Sequence, residues 1–328
     1  MKTLVTGGAG FIGSHIVRAL LKEREEVVVL DNFSTGFLDN LEEVKHRIEL
    51  VDGDIRKPEH LKKAMKGVQV VFHQAALPSV PRSMKDPVAT SEINVGGTLS
   101  VLEAARQAKV RRVVFASSSS VYGESPDPFR QEEMPLKPMS PYALAKQIGE
   151  QYCSLYSRVF GVETVALRYF NVFGPRQNPN SQYAAVVPSF ITQLLDGRAP
   201  AIYGTGKQSR DFTFVENVVQ ANLLAARVPG VSGQVFNVGS GGTLTVNELF
   251  HHLADLLSTD LSPVYEPARQ GDVQHSQADI SLGALLLGYT PAVDFQEGLR
   301  RTVDWYRQAK GSVPAAAPPL EPALSAGG

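Results

Sequence analysis

Two short stretches hold side chains able to move a proton. In "MSPYALAKQIG", Tyr142 and Lys146 stand four residues apart, the spacing that stacks two side chains on one face of a helix. A lysine ammonium beside a phenol favours the phenolate and lowers its pKa from about 10, giving a base able to work near neutral pH. In "FASSSSVYG", Ser117 to Ser120 follow an apolar run, so their hydroxyls fall at the end of a strand and can supply a third polar group. Alone, a Tyr and Lys at this spacing more often pack the ring on a sheet and send the ammonium to water, and serines at a strand end often only cap it. A stretch near the start changes the balance. "KTLVTGGAGFIG" runs from a strand through glycines into a helix, satisfying Gly8-x-Gly10-x-x-Gly13 and the wider spacing Gly7, Gly10, Gly13. Glycines there let the chain turn tightly, let a pyrophosphate approach a helix N-terminus, and let helix and sheet pack closely. Asp31 closes the second strand in "VVVLDN", at about the 20-residue distance where an acid binds an adenosine ribose. A carboxylate there repels a 2′-phosphate, so the pattern favours NAD over NADP.

These groups meet only if the chain brings them to one edge of one sheet. The runs "KTLVT", "EVVVL", "VQVVFH", "VRRVVFA" and "TVALRYF" are apolar and β-branched, and amphipathic segments such as "FIGSHIVRALLKE" separate them. Continuous apolar strands alternating with helices predict an α/β fold, a Rossmann-type doubly wound parallel sheet covered on both faces. Ser140 is placed to N-cap the Tyr142 helix, with Pro141 at its first position. After about residue 170 the alternation fades and the loops become rich in Pro, Asn and Gly, which predicts a smaller, interleaved C-terminal substrate lobe. The expected division is a dinucleotide-binding domain over 1–170, with 214–239 returning to it as a helix and strand. A second lobe then covers 171–213 and 240–310, and 311–328, "GSVPAAAPPLEPALSAGG", is a tail expected to be disordered.

Composition removes several classes of function. Of 328 residues 43% are apolar, enough for a full core, and the formal charge of −1 gives no field to attract nucleic acid or an anionic membrane. No apolar run reaches the roughly 18 residues that span a bilayer. Cys153 is the single cysteine, which excludes an internal disulfide, and residues 2–6 already read as a strand rather than a signal peptide, so a cytoplasmic protein is expected. Cys153 lies about 16 Å along the helix from Tyr142, too far to serve as a nucleophile beside it. His251 and His252 point to different helix faces, and no other histidine spacing suggests a metal.

The glycine turn, "DNFSTG", "HQAAL", "ASSSSVYG", "SPYALAK", "LRYFNVFGPRQ", "GKQSRDF" and "RQGDVQHSQAD" occur in order over about residues 1–308. Together they resemble the extended short-chain dehydrogenase/reductase superfamily and, within it, the UDP-hexose 4-epimerases, with most similarity to the branch acting on UDP-N-acetylglucosamine. The resemblance implies NAD as cofactor, a UDP-sugar as substrate and a homodimer formed through the Tyr142 helix and the helix around 91–108. It assigns Tyr142, Lys146 and Ser118 to catalysis. It assigns Gly7, Gly10, Phe11, Ile12, Gly13, Asp31, Asn32, Ser34, Thr35, Gly36, Asp54, Ile55, Gln74, Ala75, Ala76, Asn94 and Tyr169 to the cofactor, with Tyr142 and Lys146 touching it as well. For the substrate it implies Ser118, Ser119, Tyr142, Asn171, Ala185, Val186 and Tyr203, with Arg210 and Arg269 on the diphosphate, Asp272 on a ribose, and Ser276 near the sugar 2-substituent.

In that superfamily the dehydratases carry Asp and Glu at the two positions after the catalytic serine, and the UDP-glucuronate decarboxylases carry Glu at the second. Here both are serines, Ser119 and Ser120. The run can orient a sugar but lacks the acid and base of an elimination. What remains is C4 epimerisation through a transient 4-keto sugar. A small Ser276 and Ala185 leave room for an N-acetyl group, so UDP-GlcNAc and UDP-GalNAc are expected to fit beside UDP-glucose and UDP-galactose. Pro78 departs from the Gly common in the N-acetyl branch. The competing readings are a UDP-glucuronate 4-epimerase and a non-catalytic NAD-sensing regulator. The first tends to have Thr and Arg where this chain has Asn171 and Asn178, and the second commonly lacks the Tyr or Lys present here.

Overall fold

The structure is a computed structural model that describes residues 1–179, 185–268 and 273–309; the tail 311–328 lies outside the described residues. The first half alternates strands and helices: β1 (Lys2–Thr6), α1 (Phe11–Lys22), β2 (Glu26–Asp31), β3 (Ile48–Asp52), α2 (Pro58–Ala64) and β4 (Val70–His73). Then come α3 (Val80–Lys85), α4 (Pro87–Ser91), a π-helical turn at Glu92–Gly97, α5 (Thr98–Gln107), β5 (Arg112–Ser118), β6 (Phe129–Arg130), α6 (Pro141–Phe160) and β7 (Glu163–Tyr169). The second half has β8 (Val172–Phe173), α7 (Val186–Leu195), β9 (Ala201–Tyr203), β10 (Ser209–Arg210), β11 (Thr213–Phe214), α8 (Val215–Arg227) and β12 (Gln234–Val238). It closes with β13 (Leu244–Thr245), α9 (Val246–Leu257), β14 (Val264–Glu266), β15 (His275–Ala278), α10 (Ser281–Leu287) and α11 (Phe295–Ala309).

Seven parallel strands form the main sheet in the order β12-β7-β5-β4-β1-β2-β3. The central strands are buried on both faces, which their unbroken Val, Leu and Phe content allows: Val5, Val29, Phe72, Val114 and Leu167 pack under α1 and α8, while Leu4, Val28, Val71, Val113 and Ala166 pack under α2, α5 and α6. The edge strand β3, "IELVD", alternates exposed and buried residues and has no apolar run, so periodicity alone does not mark it. Chain order reverses between β1 and β4, and at such a switch point the loops beyond the strands part to leave a crevice.

Residues 214–239 supply α8 and β12, and β12 pairs with β7 to extend the main sheet. A second apolar core, built on Phe190, Phe214, Phe250, Leu253, Leu299 and Val303, holds α7, α9 and α11 together. A four-stranded sheet, β13-β10-β15-β6, lies in this half of the molecule. Its last strand differs from the boundary expected from sequence. Phe129–Arg130, within 1–170, pairs in parallel with Gln277–Ala278. Two residues carry no readable period, and only a partner well over a hundred residues away makes them a strand. Among the described residues no helix is long and apolar enough to cross a membrane.

Candidate active site

The glycine turn is shaped by contacts that leave no room for a side chain. Gly7 takes φ +69° and a Cβ there would lie 2.7 Å from the Ala75 nitrogen, while a Cβ on Gly13 would lie 2.1 Å from the Gly7 oxygen. Gly10 N-caps α1 with no side chain covering the first turn, where Phe11 and Ile12 stand, and a Cβ on it would meet only the Gly7 oxygen, at 3.1 Å. A helix start with no side-chain cap and a glycine as its N-cap residue suits a pyrophosphate, so the turn fits a dinucleotide.

Asp31 ends β2 in the crevice and its carboxylate accepts from the Ala9 N–H at 2.9 Å and the Phe33 N–H at 2.9 Å. Burial pushes its pKa up. The acid therefore clamps the glycine turn to the end of β2. Asn32, Ser34 and Thr35 are exposed beyond it, and a Cβ on buried Gly36 would lie 2.9 Å from the Ala9 carbonyl carbon. Asn32 also hydrogen-bonds Asp54, whose carboxyl Arg56 holds below the usual range. Next to it Ile55 is buried against the π-helical turn, where a Cβ on Gly97 would collide with it.

On the other side of the switch point, the Gln74 amide donates to the Tyr169 hydroxyl at 3.1 Å and to the Asn222 oxygen at 3.2 Å. Asn222 comes from α8 and was not expected from the sequence. Ala75 donates its N–H to the Thr6 hydroxyl at 3.3 Å, and Ala76 is half-buried beside it. Asn94 is almost fully enclosed: its amide accepts from the Leu77 N–H at 2.7 Å and donates to the Leu77 carbonyl at 3.0 Å. Its side chain thus holds the loop after β4. His73 extends the same support, bridging the Thr6 and Thr98 hydroxyls at 2.8 and 2.9 Å. Since Thr98 donates onward to the Asn94 carbonyl, it accepts from His73 Nε2–H, and the ring is neutral, its pKa held down to about 3 mainly by burial.

Ser118 ends β5 in register with Tyr169 on β7, which sets the hydroxyl at the same sheet edge. The four serines face different partners. Ser117, buried, donates to Glu150 at 2.5 Å, and Glu150 is paired with Arg168 at 2.8 Å, side chains 5% and 4% exposed. Ser120 donates to the Ser118 oxygen at 2.9 Å and so orients it, while Ser119 begins a 3-10 turn with its side chain half-buried. Ser117 and Ser120 thus do more than cap a strand end.

Ser140 N-caps α6, accepting from the Ala143 N–H at 3.1 Å, and Pro141 follows at the first helical position. The helix presents Tyr142 to Ser118, which hydrogen-bonds its phenol. The Lys146 ammonium donates to the Ala116 carbonyl at 2.7 Å and lies 5.8 Å from the Tyr142 ring centre. In the protein by itself burial raises the Tyr142 pKa, and Ser118 offsets this in part. Helical spacing places the two side chains on one face, but the buried lysine stem turns to the nearest carbonyl of β5. Burial also lowers the Lys146 pKa to about 8.

Asn171 is exposed just past β7 at φ +22°, a strained backbone of the kind that gathers at functional sites. Ser79, next to Pro78, is also strained, at φ +97°, and N-caps α3. Ala185 is exposed as the N-cap of α7, with Val186 its first residue, and Tyr203 is exposed at the end of β9. Arg210 and Ser276 are in register on β10 and β15, and their neighbours Ser209 and His275 hydrogen-bond each other at 2.9 Å. Side chains alternate along strands, so Arg210 and Ser276 share the opposite face. Beneath them Asp211, fully buried, accepts from the N–H groups of Ser240, Gly241 and Ala278 and anchors this sheet. Only its place in "SRDF" signalled it. Arg269 and Asp272 lie outside the described residues.

Comparison with known proteins places this geometry. Residues 3–239 match the NAD dependent epimerase/dehydratase family. The chain is 39% identical over 321 residues to the UDP-glucose 4-epimerase of Mycolicibacterium smegmatis, covering 94% of this chain and 99% of that one. It matches the solved UDP-N-acetylglucosamine 4-epimerase from Methanobrevibacter ruminantium, in complex with UDP-N-acetylmuramic acid, with a TM-score of 0.90 and 42% identity over 94% of this chain and 98% of that one. For the Thermus thermophilus UDP-glucose 4-epimerase complex with NAD the TM-score is 0.86, with 39% identity over 94% and 100% of the two chains. With its glycine turn, its Ser118–Tyr142–Lys146 cluster and this breadth of similarity, the chain belongs to the NAD dependent epimerase/dehydratase family.

Proposed function

We propose that the protein interconverts UDP-sugars at C4 through a 4-keto sugar, and that it accepts the N-acetylated pair UDP-GlcNAc and UDP-GalNAc as well as UDP-glucose and UDP-galactose. The observation that carries this reading is the meeting of Ser118, the Tyr142 phenol and Lys146 at the sheet edge beside the glycine turn, with no carboxylate at Ser119 or Ser120. NAD, when bound, supplies a hydride acceptor and donor and a positively charged ring that favours the phenolate. Ser118 orients the sugar 4-hydroxyl, and Tyr142 Oη takes its proton and later returns it. Lys146, held on the Ala116 carbonyl, fixes the helix start against β5. The nucleotide is gripped by Arg210, with Arg269 and Asp272 as further contacts, while small Ser276 and Ala185 leave the sugar free to present either face. The face shared by Arg210 and Ser276 supports that placement.

Neither Asn171 nor Asn178 offers a cation to a sugar carboxylate, which weighs against a glucuronate. The protein is further expected to pair with a second copy through α6, where Leu144, Leu155 and Val159 are exposed along one helix face. Incubation with a panel of UDP-sugars, followed by separation of C4 epimers, tests the activity. Conversion of the N-acetylated pair without added NAD is the expected result. Steady NADH release, or decarboxylated or dehydrated products, would overturn it.

A further inference from the structure

We propose that a second anion site, for the phosphate group of a small molecule, lies along the C-terminal half of α1, where the Pro175–Arg176 turn, α8 and α11 meet it. A cavity of about 480 Å³ opens there, lined by Arg18, Lys22, Arg176, His15 and Trp305 among others. Its volume is in the range of small-molecule pockets.

Arg18 and Arg176 converge on one atom: their Nη2 groups lie 3.1 and 3.0 Å from Oε2 of Glu43. The two arginine side chains are 16% and 17% exposed, whereas that of Glu43 is 70% exposed. Two guanidinium groups largely withdrawn from water thus share one oxygen of a carboxylate that is mostly in water. Lys22, one turn beyond Arg18, adds a third cation at the rim. Arg300 and Arg301 on the far wall are already paired with Glu297, Asp304 and Glu216. The excess of positive charge therefore sits at Arg18, Lys22 and Arg176. These same three cations help burial to hold His15 neutral, with its pKa lowered to about 4.

Arg176 is held at φ +68°, a conformation residues with a Cβ rarely adopt, and His15 secures the turn by hydrogen-bonding the Pro175 carbonyl at 2.9 Å. The strain is maintained where Arg176 both lines the cavity and meets Glu43. A phosphate presents three oxygens and can take paired N–H bonds from both guanidinium groups, where Glu43 offers one oxygen. Displacing Glu43 costs little, because an exposed carboxylate gains little from such a pair. On the far wall, Trp305 of α11 supplies an apolar ring for the organic part of a phosphate ester.

The test is titration calorimetry on the full chain at low salt, with UDP present to occupy the nucleotide-sugar cleft, using inorganic phosphate and phenyl phosphate as probes. This proposal does not depend on the epimerase reading. One further site is expected, lost in Arg176→Met and tightened about fivefold in Glu43→Gln, which removes the competing charge from an exposed position and leaves the fold intact. Tighter binding of phenyl phosphate assigns Trp305 to the ester; equal binding makes the phosphate the whole ligand. No binding of either probe to Glu43→Gln, or equal binding to Arg176→Met and the unaltered chain, overturns the site.

Discussion

Removing one oxygen from Tyr142 tests the proton chemistry more cleanly than any other single change. Tyr142→Phe keeps the ring that packs beside Lys146, so the fold and bound nucleotide should survive while turnover falls by about 10²–10⁴, the usual contribution of a general acid–base group. Ser118→Ala should cost less, since it removes an orienting hydrogen bond that Ser120 already supports. Turnover within a few-fold of normal in Tyr142→Phe would assign the base elsewhere. Ser276 addresses the choice of sugar. The residue is 9% exposed and its side chain shares a face with Arg210, so a phenol introduced there has to enter the cleft or break the strand. Ser276→Tyr should abolish turnover of the N-acetylated pair and spare UDP-glucose and UDP-galactose. An unchanged ratio of kcat/KM between the two pairs would take Ser276 out of the pocket.

At the level of the element, the strand-turn-helix unit from β1 to α1 depends on a glycine for steric reasons. Gly13→Ala would set a Cβ 2.1 Å from the Gly7 oxygen, so α1 must shift away from the turn or the turn must open. Overpacking of this kind costs about 1–3 kcal/mol. The expected result is a lower melting temperature together with loss of the nucleotide released on denaturation. A variant that retains full nucleotide would show that α1 need not approach the turn so closely. The loop after β4 depends on a different device. There the π-helical turn at Glu92–Gly97 directs Asn94 onto both polar groups of Leu77, a pairing that an amide can make and an aspartate cannot.

Two properties belong to the whole molecule. The first is acid lability. His73 is fully buried, with a folded pKa of about 3 against an ordinary value of 6.5. Between those values the unfolded chain binds a proton that the folded chain refuses, so stability falls as pH falls through this window, by up to about 1.4 kcal/mol per pH unit from this group. Above pH 6.5 the contribution is fully present. Urea midpoints measured from pH 7 to pH 4.5 should fall less steeply in His73→Gln, whatever that change does to stability at pH 7. An identical slope would mean that His73 is not the group that titrates. The second is assembly. Leu155→Glu with Val159→Glu should convert a dimer to a monomer in light scattering, and an unaltered mass would place the interface elsewhere or show that the chain is a monomer throughout.

The amino-acid sequence by itself determines the features whose causes are local. A strand buried on both faces needs an unbroken apolar run, a helix that starts at Ser140 and Pro141 needs only those two residues, and the approach of Gly10 and Gly13 to the Gly7 oxygen follows from backbone sterics within six positions. For that reason the parallel sheet, the start of α6 and the candidate pair Tyr142 and Lys146 are legible in one dimension. Tertiary structure decides what depends on partners far along the chain. β3 is an edge strand without an apolar run, and β6 is a strand only because β15 lies beside it. The Lys146 ammonium settles on Ala116, Glu150 meets Arg168, and Gln74 meets Asn222 across 148 residues. A repeating pattern specifies which face of an element is buried, whereas the choice of hydrogen-bond partner for a buried polar group is made by the neighbouring elements that enclose it.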